Sequence, residues 1–119
     1  MTRVVQKLAG QRVDARDKAT GATRYSADVE VDGSLHAVAV RSVRPHAHVC
    51  SVDASTALAV DGVVAVVTAR ELKERFGDEL CGRRVRDMPL LADGKVRFAG
   101  EAVAVVLART RRAAEDAAA

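Results

Sequence analysis

The run Ala102-Val-Ala-Val-Val-Leu-Ala108 constrains this chain more than any other stretch. It is wholly apolar and rich in β-branched valine, the pattern of a strand buried on both faces. Gly94-Lys-Val-Arg-Phe-Ala-Gly100 leads into it through an Asp93-Gly94 turn, so the expected strand covers residues 96–108. An Ala-rich helix follows, with Thr110 as its cap and Arg111–Glu115 and Arg112–Asp116 as i,i+4 pairs. Such pairs add only a few tenths of a kcal/mol each. The helix is shorter than the ~12–15 residues that stand alone in water, so it must dock on the sheet to exist. A helix of this kind at the end of the chain reads as part of something larger.

The same reasoning places the other elements. Leu35-His-Ala-Val-Ala-Val40 is a short apolar run after Gly33 and predicts a strand, broken by Arg41-Ser-Val-Arg-Pro45. His46-Ala-His-Val-Cys-Ser-Val-Asp53 alternates and predicts a second strand. Asp53 or Ser55 can cap a helical turn through Leu58, ended by Gly62 in a left-handed conformation. Val63-Val-Ala-Val-Val67 predicts another strand. Thr68-Ala-Arg-Glu71 is a capping box that starts a helix with Leu72 and Phe76 on one face and Gly77 at its end. Residues 78–89 read as a charged, irregular surface loop around Cys81-Gly-Arg-Arg. Alternating strands and helices with wholly apolar strands argue for a covered, at least partly parallel sheet. The fold class is therefore α/β: a small mixed sheet with two or three helices over residues 23–119, preceded by an extended arm over residues 1–22. Residues 1–9 read either as part of that arm or as a disordered tail.

Composition narrows the functional classes. Hydrophobic residues are 49% of the chain but aromatics only 3%, so the core is built from Val, Ala and Leu. Tyr25, Phe76 and Phe98 are the only aromatics, which leaves few platforms for stacking a base or a flavin ring. The net charge is +3, and the basic clusters Arg83-Arg84-Val-Arg86 and Arg109-Thr-Arg111-Arg112 read as solvated loop and helix charges. Neither a nucleic-acid partner nor a membrane partner is expected. Met-Thr-Arg-Val-Val-Gln-Lys at the start lacks the apolar core of a signal peptide, which makes the cytoplasm the expected location. Cys50 and Cys81 form no C-x-x-C pair and are too few for an iron–sulfur cluster.

No constellation announces chemistry. His46, His48 and Cys50 share one face of the expected strand, but its 6.6 Å two-residue repeat keeps three side chains from converging on one ion. Ordinary hydrogen bonds are the simpler reading of those histidines. Ser42, Ser51 and Ser55 lack a strained nucleophile turn, and no phosphate-cradling glycine motif occurs. Glu101, entering the apolar run after Gly100, reads as a solvent-facing residue or, alternatively, as a perturbed catalytic acid. No catalytic, cofactor-binding or metal residue is expected in this chain.

Several segments nevertheless carry a resemblance. They are Arg12-Val-Asp14-Ala-Arg-Asp-Lys18-Ala-Thr20-Gly21, Tyr25-Ser-Ala-Asp28, Leu35-His36, Arg41-Ser42 and Pro45-His46-Ala47. Val52-Asp53, Gly62-Val63-Val-Ala-Val-Val-Thr68, Leu90-Leu91-Ala92, Lys95-Val-Arg97 and Gly100-Glu-Ala-Val103 continue it. In order and spacing the set resembles the start of the large, molybdenum-binding subunit of the xanthine dehydrogenase and aldehyde oxidase family, from about residue 8 onward. Ala19, Val43 and His48 depart from the pattern as packing or surface changes. The resemblance implies an α/β hammerhead domain, here one strand short of its usual end. It further implies a parent oxidoreductase that hydroxylates aldehydes or N-heterocycles with oxygen from water. That parent would use molybdopterin–molybdenum, iron–sulfur clusters and often FAD. The expected partners are the remaining molybdenum-binding domains and the iron–sulfur and FAD subunits or domains. The family's catalytic residues lie in later domains, so this chain is expected to scaffold and to be inactive alone. The alternative is a free-standing adaptor module reusing the fold without redox chemistry.

Overall fold

The computed structural model describes residues 12–29, 31–77 and 80–119. The expectation for residues 1–9 lies outside them. Backbone contacts divide the chain after Gly33 into two units. In the first, α1 (Ala15–Ala19) interrupts residues expected to be extended. A 3-10 turn follows at Ser26–Asp28, where the Asp28 carboxylate accepts the Tyr25 N–H at 2.8 Å.

The second unit, Ser34–Ala119, holds a three-stranded sheet. Its strands are β1 (His36–Arg41), β3 (Val63–Thr68) and β7 (Ala102–Ala108), with β7 in the centre. Both pairings are antiparallel, so the expected parallel pairing is absent among the described residues. β1 and β3 run in the same direction, but β7 separates them and takes all their ladder bonds. Apolar composition signals cover, and cover was mistaken for parallel pairing.

The sheet is more fully covered on one face than on the other. Ala104, Val106 and Ala108 of β7 are buried, whereas the alternating Val103, Val105 and Leu107 are half-buried. The register sets Val38 opposite Val106 and Val63 opposite Ala108 on the better-covered face. There α4 (Arg111–Ala118) packs across all three strands. Ala113 and Ala114 form a cluster with Ala108, against which Val38 and Val63 pack. Alanine at these positions lets the helix backbone approach the sheet closely. The Thr110 side chain accepts the Ala113 N–H at 3.2 Å, the expected cap. The short helix α2 (Ser55–Leu58) lies against β3 and α4. Ala54, not the expected Asp53 or Ser55, takes the cap position without a side-chain bond, and the Asp53 carboxylate before it accepts the Ser55 N–H at 2.9 Å. That bond favours the charged carboxylate and holds Asp53 below its ordinary pKa.

Three other expectations change. The second strand shrinks to β2 (Ala47–His48), paired antiparallel with β6 (Lys95–Val96). The expected long final strand is therefore two strands, separated by a turn in which Gly100 has φ 90°. Leu80–Cys81 (β4) and Met88–Pro89 (β5) pair antiparallel, so the charged loop closes as a hairpin. The capping box forms as read: Thr68 and Glu71 each accept the other's backbone N–H at the start of α3 (Ala69–Phe76). Gly77, φ 78°, ends the helix.

Candidate functional site

The residues weighed for metal binding are not brought together. Only His48 of the three lies in a strand; His46 precedes it in a bend and Cys50 follows it, and all are exposed. Among the described residues, no group of three or more His, Cys, Asp or Glu side chains could hold a metal ion. Cys50 and Cys81 are both free thiols, and the Cys81 Sγ–H donates to the Met88 carbonyl at 3.1 Å within the hairpin. Two separately placed thiols do not match the four thiolates of a typical iron–sulfur cluster.

Glu101 corrects its expected solvent exposure. It is 7% exposed, and its carboxylate accepts both the Arg97 N–H and, at 3.0 Å, the Arg97 guanidinium. The charge is committed to holding the turn before β7. The Arg97–Glu101 spacing around Gly100 was the available sequence signal.

Three arginines of the basic clusters have local partners. Arg86 Nε donates to the Leu80 carbonyl at 3.0 Å. Arg111 pairs with Glu115 at 2.8 Å, which raises the arginine's pKa, and Arg112 lies 3.7 Å from Asp116.

Two concavities stand out among the described residues. A cavity of about 250 Å³ opens where β3 passes into α3, lined by Cys50, Ser51, Thr68, Arg70 and Asp93 among others. Asp93 is ion-paired with Lys73, and the Thr68 hydroxyl and N–H are both bonded to Glu71. The other is a groove of about 670 Å³ between α3 and the less covered sheet face, lined by Ala65, Val67, Leu72, Phe76 and Leu107, with Glu71, Glu74 and Arg75 at its edge. Phe76 is 72% exposed there. Sequence reading put Leu72 and Phe76 on one face of α3 but could not show how far that face covers the sheet.

Comparison with known proteins identifies the family. Residues 20–119 match the model of the aldehyde oxidase and xanthine dehydrogenase a/b hammerhead domain. The chain is 37% identical to the nicotine 6-hydroxylase large subunit of Paenarthrobacter nicotinovorans, over 96% of this chain and 15% of that protein. It is 39% identical to the nicotinate dehydrogenase large molybdopterin subunit of Eubacterium barkeri, over 89% of this chain and 24% of that protein. The fold superimposes on crystalline Cu,Mo-CO dehydrogenase with a TM-score of 0.84 and 38% identity, covering 91% of this chain and 14% of that one. The chain therefore spans less than a quarter of each relative's length. From the matched hammerhead residues and the shared fold, the chain belongs to the aldehyde oxidase and xanthine dehydrogenase family of molybdenum hydroxylases.

Proposed function

We propose that this chain is the non-catalytic, N-terminal scaffolding portion of a molybdenum hydroxylase of the xanthine dehydrogenase and aldehyde oxidase type. It packs against the molybdopterin-binding domains and supports contacts with the iron–sulfur and FAD subunits or domains. The observation that carries this reading is the less covered face of the sheet. A compact unit with Phe76 72% exposed on a largely apolar groove has surface suited to burial against a neighbour. When bound in the parent enzyme, molybdenum and its pterin supply the redox chemistry; this chain's residues hold their own fold and present surface. No helix of the described residues is long and apolar enough to cross a membrane, and we place the assembly in the cytoplasm.

The purified chain tests the reading directly. Elemental analysis should find no stoichiometric molybdenum or iron, and dye-linked oxidation of purines and aldehydes should be absent. Stoichiometric molybdenum or turnover would overturn it.

A further inference from the structure

An aspartate followed by glycine is open to backbone rearrangement, because no Cβ shields the glycine nitrogen from the carboxyl before it. The chain contains three such pairs, Asp32-Gly33, Asp61-Gly62 and Asp93-Gly94. All three aspartates are exposed and lie between regular elements. Two of the pairs are pinned. Around Asp61-Gly62 the Val63 N–H donates to the Val60 carbonyl at 3.1 Å, and the Arg109 N–H to the Gly62 carbonyl at 2.8 Å. A Cβ added at Gly62 would meet the Ala113 Cβ at 3.5 Å, so α4 lies against that turn. Around Asp93-Gly94 the Lys95 N–H donates to the Asp93 carbonyl at 2.8 Å, and the Val49 N–H to the Gly94 carbonyl at 3.0 Å. The Asp93 carboxylate is itself ion-paired with Lys73.

Asp32-Gly33 has none of these restraints among the described residues. Its turn is open: residues 31–35 make no backbone hydrogen bond of ordinary geometry to a described residue, and ladder pairing begins only at His36. The Asp32 carboxylate has no ion pair or hydrogen bond to a described residue. A Cβ added at Gly33 would meet nothing within 4 Å. The pair also closes the first unit of the chain, and Ser34 begins the second.

We propose that Asp32-Gly33 is a site of spontaneous covalent modification, at which the backbone isomerises to isoaspartate. The Gly33 nitrogen attacks Cγ of the protonated Asp32 carboxyl, and the amide hydrogen leaves with the carboxyl hydroxyl as water. The resulting succinimide then takes up water at the Asp32 main-chain carbonyl, which breaks that carbon's bond to nitrogen. The chain afterwards runs through Cβ and Cγ, one carbon longer, with the α-carboxylate as its side group. Mass and net charge are unchanged, and nothing is oxidised or reduced. The product lengthens the connection between the two units. Its chemistry makes it a substrate for an isoaspartate-specific methyltransferase that takes its methyl group from S-adenosylmethionine. Each of the other pairs is restrained by two backbone hydrogen bonds, which should slow its ring closure about tenfold against Asp32-Gly33.

The test is peptide mapping of the full chain after ageing at neutral pH and body temperature. Trypsin separates the three pairs into residues 25–41, 42–70 and 87–95, since the Arg44-Pro45 bond resists cleavage. Electron-transfer fragmentation tells isoaspartate from aspartate, and labelled methyl transfer by an isoaspartate methyltransferase counts it. The chain has no asparagine, so deamidation contributes nothing. Isoaspartate should accumulate in residues 25–41 about tenfold faster than in either other peptide. Asp32→Glu should abolish it there. In guanidinium chloride, where the fold is lost, the three peptides should convert at similar rates. Equal rates in the folded chain, faster conversion of either other peptide, no conversion of residues 25–41, or the same preference persisting in denaturant would overturn the proposal.

Discussion

Replacing Glu101 by alanine removes the buried acceptor that fixes the turn between β6 and β7. Two donors lose their partner: the Arg97 N–H and the Arg97 guanidinium, the latter on a side chain that is 42% exposed. A hydrogen bond to a charged group contributes ~1.5–3 kcal/mol, and the half-exposed guanidinium regains water, so its share falls to about 0.5–1 kcal/mol. The sum is a loss of about 2–4 kcal/mol for alanine. Glutamine keeps an acceptor for the N–H but not the charge, and should cost about half as much. For a unit of this size each kcal/mol moves the melting temperature by about 4–8 °C. The melting temperature followed by circular dichroism should therefore fall by about 8–32 °C for Glu101→Ala, with Glu101→Gln between it and the parent. If Glu101→Ala melts within about 3 °C of the parent, the carboxylate is not what holds the turn, and the account of this residue is wrong.

Three further outcomes are expected. Ala114→Leu should lower stability by about 1–3 kcal/mol in urea unfolding, because Ala114 is fully buried where α4 meets the sheet and leucine overfills the contact. Gly100→Ala should cost about 1–2 kcal/mol from backbone strain alone, since φ is 90° and an added Cβ meets nothing within 4 Å; an unchanged melt would contradict that conformation. On acidification, Asp53 contributes stability above its unfolded pKa that is lost as pH falls through its lower folded pKa. Melting temperature should thus drop in acid below the ordinary carboxylate range, and Asp53→Asn should remove part of that drop; an identical acid profile would count against it.

The local elements of this protein were legible in its residues. Thr68 and Glu71 determine where α3 starts, Gly77 where it stops, and Thr110 where α4 starts, because caps are set by neighbours along the chain. The valine-rich runs at 63–67 and 102–108 determine strands for the same local reason. The signature segments also determined the family, since their order is a property of the chain itself.

Only the tertiary structure decided what those elements do to one another. Antiparallel pairing around β7 depends on partners distant in sequence, and an apolar run fits either direction. The break between β6 and β7, the burial of Glu101 and the open groove beside α3 likewise follow from where α4 and the loops come to rest. A carboxylate after a glycine looks solvent-facing until the fold brings a backbone N–H and a guanidinium to it. Composition records how much apolar surface a chain must bury; packing decides which part stays uncovered for a neighbour.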